Sequence, residues 1–350
     1  MSFTRIKCQT DGYANIQRVA GFLCLKRRVD SSSICRSQGT ATFISCRPGV
    51  KWGAAETMGP RETMEDAWLV KENLKSGLLY ASVFDGHGGA SSAIFLKHAL
   101  FDTLKKKMKQ KGNNKNVFIQ DSEEVSRVTS LGSLQEIFKL TDGALIDHIA
   151  TLGDPECWSG STATICFIDE RQIICANVGD SAAVIGRKGK PFIITKEHRP
   201  NARTKTGRDE IERIAMAGGW VTQERVCGIL AVSRAFGDYE FKGGRSELLD
   251  EFRYDGNSQA ANFTLHSPPV IALPHVYELS RTIDDEFIII ATDGIWDVMN
   301  SSQAVTFVRS KLKSDSTLSM TEIADALVCR ALRYRTQDNI ACIIIDLRQF

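Results

Sequence analysis

Net charge is almost absent from this chain: 44 Lys and Arg stand against 42 Asp and Glu, leaving +2 at neutral pH. No overall field draws it to nucleic acid or to a membrane surface, so partners must be selected by a local site. Long apolar runs are lacking too. None approaches the ~18 residues that a membrane span requires, and the expectation is a soluble chain with no transmembrane segment. None of the ten cysteines forms a C-x-x-C pair. Cys166, Cys175 and Cys342 sit inside apolar, strand-like runs, where a thiol behaves as a small hydrophobe, and the ten read as reduced residues rather than a disulfide framework. There is no internal repeat. Nor is there a basic patch interleaved with aromatics beside the acidic motifs, as a nucleic-acid binder with many phosphate contacts would need. What is present is ordinary for a globular protein: 350 residues, 43% hydrophobic and 25% charged, enough for one large domain or two small ones.

Residues 1–48 differ from the rest. They hold eight Lys or Arg against two acids, Asp11 and Asp30, with a Ser/Thr-rich stretch from Ser31 to Ser45. Basic, hydroxylated and acid-poor is the composition of an organelle transit peptide. A secretory signal fits worse, because "VAGFLCL" is short for its apolar region and is followed at once by Lys26, Arg27 and Arg28. The alternative is a disordered basic tail with no address, which would leave the protein in cytoplasm or nucleus. The organisation expected is thus a disordered segment over 1–48 and one domain over 49–350.

Within that domain, "LLYASVF", "SGSTATICFID", "QIICANVGDSAAVIGRKG", "DEFIIIATD" and "NIACIIIDL" are β-branched runs bounded by Gly, Asp or Asn. The runs 172–178 and 182–186 around "GDSA" read as a hairpin. Helical periodicity appears over 90–110, 133–151, 208–217, 302–313 and 320–333. Short antiparallel strands with helices between them point to an α+β protein of packed sheets flanked by helices. The lysine-rich stretch 105–116 reads as a helix end and solvated loop, and 242–267 as a surface insertion.

Carboxylates gather at the strand ends: "RETMEDAW" (Arg61, Glu65, Asp66), "DGHGG" (Asp85, Gly86, His87), "VGDS" (Asp180), "DGIWD" (Asp293, Asp297) and "TQDN" (Asp338). An isolated Asp-Gly is usually only a turn. Several acids that each follow or precede a strong core strand are another matter, because an acid beside buried apolar chain is expensive to desolvate without a partner. Brought together, these ends would form an all-oxygen cluster, most readily neutralised by divalent metal. Carboxylates without a Cys/His set favour Mg2+ or Mn2+ over zinc. Two such ions about 3.5–4 Å apart, bridged by one Asp, would lower the pKa of a shared water and clamp an in-line displacement at phosphorus. Arg61 offers a fork matched to phosphate oxygens, and His87, two residues past Asp85, is placed to protonate a leaving alkoxide.

The motifs "MEDAW", "FDGHGG", "SGSTAT", "VGDSAAV", "EHRPN", "LAVSRAFGD", "ATDGIWD" and "QDN" occur in the order and spacing of the type 2C metal-dependent protein Ser/Thr phosphatases, the PPM family, which the chain resembles from about Trp52 to Leu347. The resemblance implies a four-layer α-β-β-α sandwich with a binuclear metal cleft at one edge. It implies two Mn2+ or Mg2+ ions and direct attack of a metal-bridging hydroxide on phosphoserine or phosphothreonine in partner proteins. By the same resemblance Asp85 bridges both ions, Asp293 and Asp338 ligate one, and Glu65 and the Gly86 carbonyl serve the second, with Asp66 behind them. Arg61 then holds phosphate, His87 is the general acid, and Asp180, Asp293 and Asp297 form a weaker third metal position. Residues 201–225 resemble the mobile flap over the cleft, and Asp238 a structural residue beneath it.

The turn after the flap's "GG" is shorter than in the hormone-receptor-coupled plant members, which argues against a receptor-coupled role. "AGGW", the basic N-terminus and "RYRTQDNIACIIIDL" are instead similar to the thylakoid-associated phosphatase of plants and algae. That similarity implies light-harvesting antenna phosphoproteins as substrates, a chloroplast location (stroma or thylakoid surface), peripheral membrane association and a monomer. Two other readings compete with an active phosphatase. A catalytically inactive phosphatase-fold scaffold is disfavoured because every ligand position is acidic and Arg61 and His87 are present. A two-metal nuclease lacks its basic surface.

Overall fold

The computed structural model describes residues 50–73, 78–111, 129–153, 156–254 and 263–348. The expected N-terminal segment 1–48, and the part of the 105–116 stretch beyond Lys111, lie outside them. The helix that carries the first of those lysines runs over Ser91–Lys111.

Two five-stranded antiparallel sheets form the centre. One orders the strands Trp52–Thr57, Ile340–Asp346, Asp285–Ala291, Ala182–Arg187 and Lys190–Ile193. The other orders His275–Ser280, Gln172–Val178, Ala163–Ile168, Leu78–Phe84 and Ala67–Asn73. The central strands are apolar on both faces because both faces are covered. In Leu78–Phe84, Leu79, Ala81 and Val83 point between the sheets, while Leu78, Tyr80 and Phe84 point outward onto helices Ser91–Lys111 and Leu131–Ile149. In Asp285–Ala291, Ile288 and Ile290 join the inter-sheet layer, and Phe287, Ile289 and Ala291 face helices Ser301–Ser314 and Met320–Arg333. Full burial of each Leu, Ile, Val or Phe among them contributes about 1.5–3 kcal/mol. The result is the helix–sheet–sheet–helix order expected. Capping boxes start both helices of the second outer layer, Asn300 with Gln303 and Ser319 with Glu322.

Two expectations need correction. Runs 172–178 and 182–186 are not a hairpin: Gln172–Val178 pairs with Ala163–Ile168 and His275–Ser280, whereas Ala182–Arg187 pairs with Asp285–Ala291 and Lys190–Ile193. The chain leaves one sheet at Val178 and enters the other at Ala182, so Asp180 stands on the bridge between sheets. Of segment 242–267, residues 255–262 lie outside the described residues, and the described part is not merely a surface insertion: it contains helix Arg245–Tyr254, whose Leu248 and Leu249 are buried in a fourth apolar cluster together with Trp220, Ile214 and Phe241.

Strand register brings the acidic motifs to one edge. Ala67 pairs with Phe84, Ala163 with Val178, Ala291 with both Ala182 and Cys342, and Thr57 with Ile340. Asp66, Asp85, Asp180, Asp293 and Asp338 are one or two residues beyond these paired positions. Antiparallel pairing therefore lays all five at the same end of the two sheets.

Candidate metal centre

Each acid is held by its own local device. The Asp85 backbone is clasped by Thr162 of "SGSTAT": its N–H donates to Thr162 Oγ1 (3.3 Å) and its carbonyl accepts from the Thr162 N–H (2.9 Å). Thr164 Oγ1 donates to the Ser181 carbonyl at 3.0 Å, fixing the bridge that carries Asp180. Thr292 exchanges backbone and side-chain bonds with Ala341, and its hydroxyl donates to Asp66 Oδ2 at 2.7 Å. The amide of Asn339 donates to the carbonyls of Met58 (2.8 Å) and Thr63 (2.9 Å) and accepts from the Glu65 N–H (2.7 Å). It thereby ties the loop of Arg61 and Glu65 to the strand that begins beside Asp338. Two glycines are required by close approach: a Cβ on Gly86 would lie 2.4 Å from the Glu65 carbonyl oxygen, and one on Gly294 would lie 2.0 Å from that of Asn339.

Carboxylate oxygens of Asp85, Asp180 and Asp293 lie within 4.8 Å of one another. Burial, then repulsion from Asp293, Asp66 and Asp180, drives the Asp85 carboxyl well above the usual range. Burial and the neighbouring acids raise Asp66 likewise, and push Asp293 to about 7. Like charges confined in this way are most readily relieved by a cation. The donors are oxygens throughout, matching hard divalent ions rather than zinc, so the residues present fit the metal that the sequence motifs imply.

The remaining residues surround this cluster. Arg61 donates from Nη2 to Asp338 Oδ2 (2.8 Å) and from Nε to the Gln337 carbonyl (2.8 Å), and its head is exposed. Glu65 accepts from Thr63 Oγ1 (2.9 Å) and from the Gly89 N–H (3.3 Å). His87 Nε2 stands 2.7 Å from Asp238 Oδ1. Burial disfavours the imidazolium, but the Asp238 carboxylate outweighs it and raises the His87 pKa above its ordinary value. Beside them, burial and Asp238 push Glu240 to about 7.

Sequence reasoning gave no role to Arg199 of "EHRPN". Its guanidinium donates from Nε to Asp180 Oδ2 (2.6 Å) and from Nη2 to Asp293 Oδ2 (2.7 Å), and pairs through Nη1 with Asp297 Oδ1 (3.1 Å). It also gave no partner to His87: Asp238, expected as a structural residue, touches the imidazole directly. Trp220, in the 201–225 segment expected to be a flap, is buried against Phe252 and Phe263, with ring centroids at 5.6 and 4.8 Å.

Comparison with known proteins agrees with this architecture. The family model described as protein phosphatase 2C matches residues 50–340. "Protein phosphatase 2C 57" of Arabidopsis thaliana is 35% identical over 302 residues, covering 85% of this chain and 75% of that protein. "Probable protein phosphatase 2C 2" of Oryza sativa subsp. japonica is 33% identical over 320 residues, covering 85% and 72%. In fold the chain resembles the crystal structure of a serine-threonine phosphatase 2C from Toxoplasma gondii, with a TM-score of 0.65 at 19% identity over 86% of this chain and 96% of that one. The match spans nearly the whole described domain, and the chain belongs to the protein phosphatase 2C family, the metal-dependent protein serine/threonine phosphatases.

Proposed function

We propose that the edge cluster is the working centre of the enzyme and would hold two Mn2+ or Mg2+ ions, with Asp85 as its central ligand. The observation that carries this reading is the approach of Asp85, Asp180 and Asp293 to within 4.8 Å, from just beyond the ends of three strands of two sheets. Asp293 and Asp338 would serve one ion and Glu65 and the Gly86 carbonyl the other, and Asp66 braces the site through Thr292. When bound, the metal lowers the pKa of water and neutralises phosphate charge, favouring direct hydrolysis of the phosphoserine or phosphothreonine ester. Arg61 has two of its donors committed to Gln337 and Asp338, which aims the rest of the fork at a phosphate above the cluster. With its Nε2 engaged by Asp238, His87 has Nδ1 to deliver the proton that the departing seryl or threonyl oxygen needs.

The composition of residues 1–48 supports a chloroplast address, and the "AGGW" flap supports antenna phosphoproteins as substrates of a monomeric enzyme. A fluorescent fusion of residues 1–48 tests the address. The chemistry is tested with a phosphothreonine peptide and with p-nitrophenyl phosphate, each with and without Mn2+ and Mg2+. Metal-dependent phosphate release is expected from both, and a metal-saturated protein that releases none from the peptide refutes the reading.

A further inference from the structure

Four acids crowd one arginine. Besides Asp180, Asp293 and Asp297, Glu197 Oε1 lies 3.8 Å from Arg199 Nε. All three nitrogens of the guanidinium meet carboxylates, at 2.6 Å for Nε, 2.7 Å for Nη2 and 3.1 Å for Nη1. The shorter two are the lengths of charge-assisted bonds. Asp180, Asp293 and Asp297 are also the acids to which the resemblance in sequence motifs assigns a weaker third cation position beside the two-ion centre.

The backbone of Arg199 is anchored beside that position. His198, its neighbour, donates its N–H to the Gly179 carbonyl (3.0 Å) and accepts at Nδ1 from the Gly179 N–H (3.2 Å). The His198 carbonyl accepts from the N–H (2.8 Å) and the hydroxyl (3.0 Å) of Ser233. Pro200 follows and biases Arg199 toward extended backbone. Because Gly179 precedes Asp180, the doubled bond to His198 fixes the spacing between Asp180 and the root of the arginine. The planar fork reaches three carboxylates at once, which a lysine ammonium on a flexible stem does not reproduce.

We propose that Arg199 is a tethered counter-cation, its guanidinium occupying the position among Asp180, Asp293 and Asp297 and competing there with a third divalent ion. This rests on the reading that the Asp85-centred cluster takes two ions. Two consequences follow. The chain balances part of its acid cluster before any metal arrives, and the affinity of the third position is set by residue 199 rather than by the acids alone. A divalent ion can settle there only as the guanidinium withdraws, since two positive groups sharing the same oxygens repel.

The test counts ions rather than turnover. Metal-stripped full-length protein is titrated with Mn2+ while free Mn2+ is followed by electron paramagnetic resonance, for wild type, Arg199→Met and Arg199→Lys. Arg199→Met keeps an apolar stem; Arg199→Lys keeps the charge without the fork and serves as well if the first variant folds poorly. Wild type is expected to saturate at two ions, with a third at least tenfold weaker. In Arg199→Met the third ion should tighten by tenfold or more, and in Arg199→Lys by an intermediate factor. A third-ion isotherm unchanged in both variants, with two ions bound in wild type, overturns this proposal alone. Wild type that takes up no Mn2+ overturns the two-ion reading and this proposal with it.

Discussion

His87 Nε2 and Asp238 Oδ1 stand 2.7 Å apart although 151 residues separate them in the chain. The contact joins the "FDGHGG" loop to the "SRAFGD" segment, where the strand pair Phe236–Gly237 and Gly160–Ser161 brings them together. Asp238 adopts a left-handed backbone, φ 49°. A non-glycine residue held there is a strained placement of the kind that accumulates at functional sites.

Asp238→Asn keeps the shape and removes the charge that holds the imidazole protonated. General acid catalysis contributes typically 10²–10⁴-fold, so kcat on a phosphothreonine peptide should fall about 10–100-fold with KM little changed. The p-nitrophenolate of p-nitrophenyl phosphate departs without protonation, so hydrolysis of that substrate should be nearly unaffected. Since Asp238 raises the His87 pKa, its loss should also move the alkaline limb of the pH–rate profile to lower pH. Equal losses on both substrates would make Asp238 merely structural.

Glu210 gives helix Lys205–Met216 a pH-dependent anchor. It is buried, and its oxygens accept from Arg213 (2.9 Å), Arg234 (2.6 Å) and Ser233 (2.7 Å). Burial alone would raise its pKa, but the arginines and Ser233 outweigh this and hold it at about 2. A depressed folded pKa stabilises above the unfolded value, about 4.5, and the contribution disappears as pH falls from there toward 2. The size is on the order of 3 kcal/mol. Acid unfolding followed by circular dichroism should show this decline over pH 4.5–2 in wild type. Glu210→Gln should lack it and be destabilised at pH 7 by about 3–5 kcal/mol, because its arginines lose their counter-charge.

What was legible in the sequence was whatever burial writes locally. Leu78–Phe84 and Ile340–Asp346 read as strands because both faces are covered, leaving unbroken apolar runs. Asp85 and Asp293 stood out because an acid ends such a run. The same double burial hid the sheet crossing at Asp180: with no polar alternation in 172–178 or 182–187, nothing local distinguishes a hairpin from a passage between sheets. Helix Arg245–Tyr254 was missed because only Leu248, Leu249 and Phe252 pack inward, too few for a clear period. Arg199 and the His87–Asp238 pair are encounters between distant segments, and only the assembled edge reveals them.

The two sheets, their helices and the acidic edge all lie within residues 50–348. Removing residues 1–48 should therefore leave thermal stability and kcat/KM on a phosphopeptide within about twofold of the full chain. A truncated protein that folds but fails to turn over would make the basic segment part of the catalytic unit.

Asp85→Asn separates stability from function. The wild-type carboxyl is driven upward by burial and by Asp293, Asp66 and Asp180, so the metal-stripped protein bears its charge at a cost. The amide keeps the volume and removes one negative charge from the cluster. Thermal unfolding in chelator should therefore occur at the same temperature or a few degrees higher in the variant, a gain expected where a functional group sits against the interest of the fold. Added Mn2+ should raise the melting temperature of wild type through preferential binding to the folded state, and should leave Asp85→Asn almost unmoved. Phosphopeptide hydrolysis by the variant should fall by about 10³-fold or more, as expected when metal that activates water is lost. A variant that melts lower in chelator would show Asp85 to be a stabilising residue of the fold, and one that retains its Mn2+ shift would remove it from the metal centre.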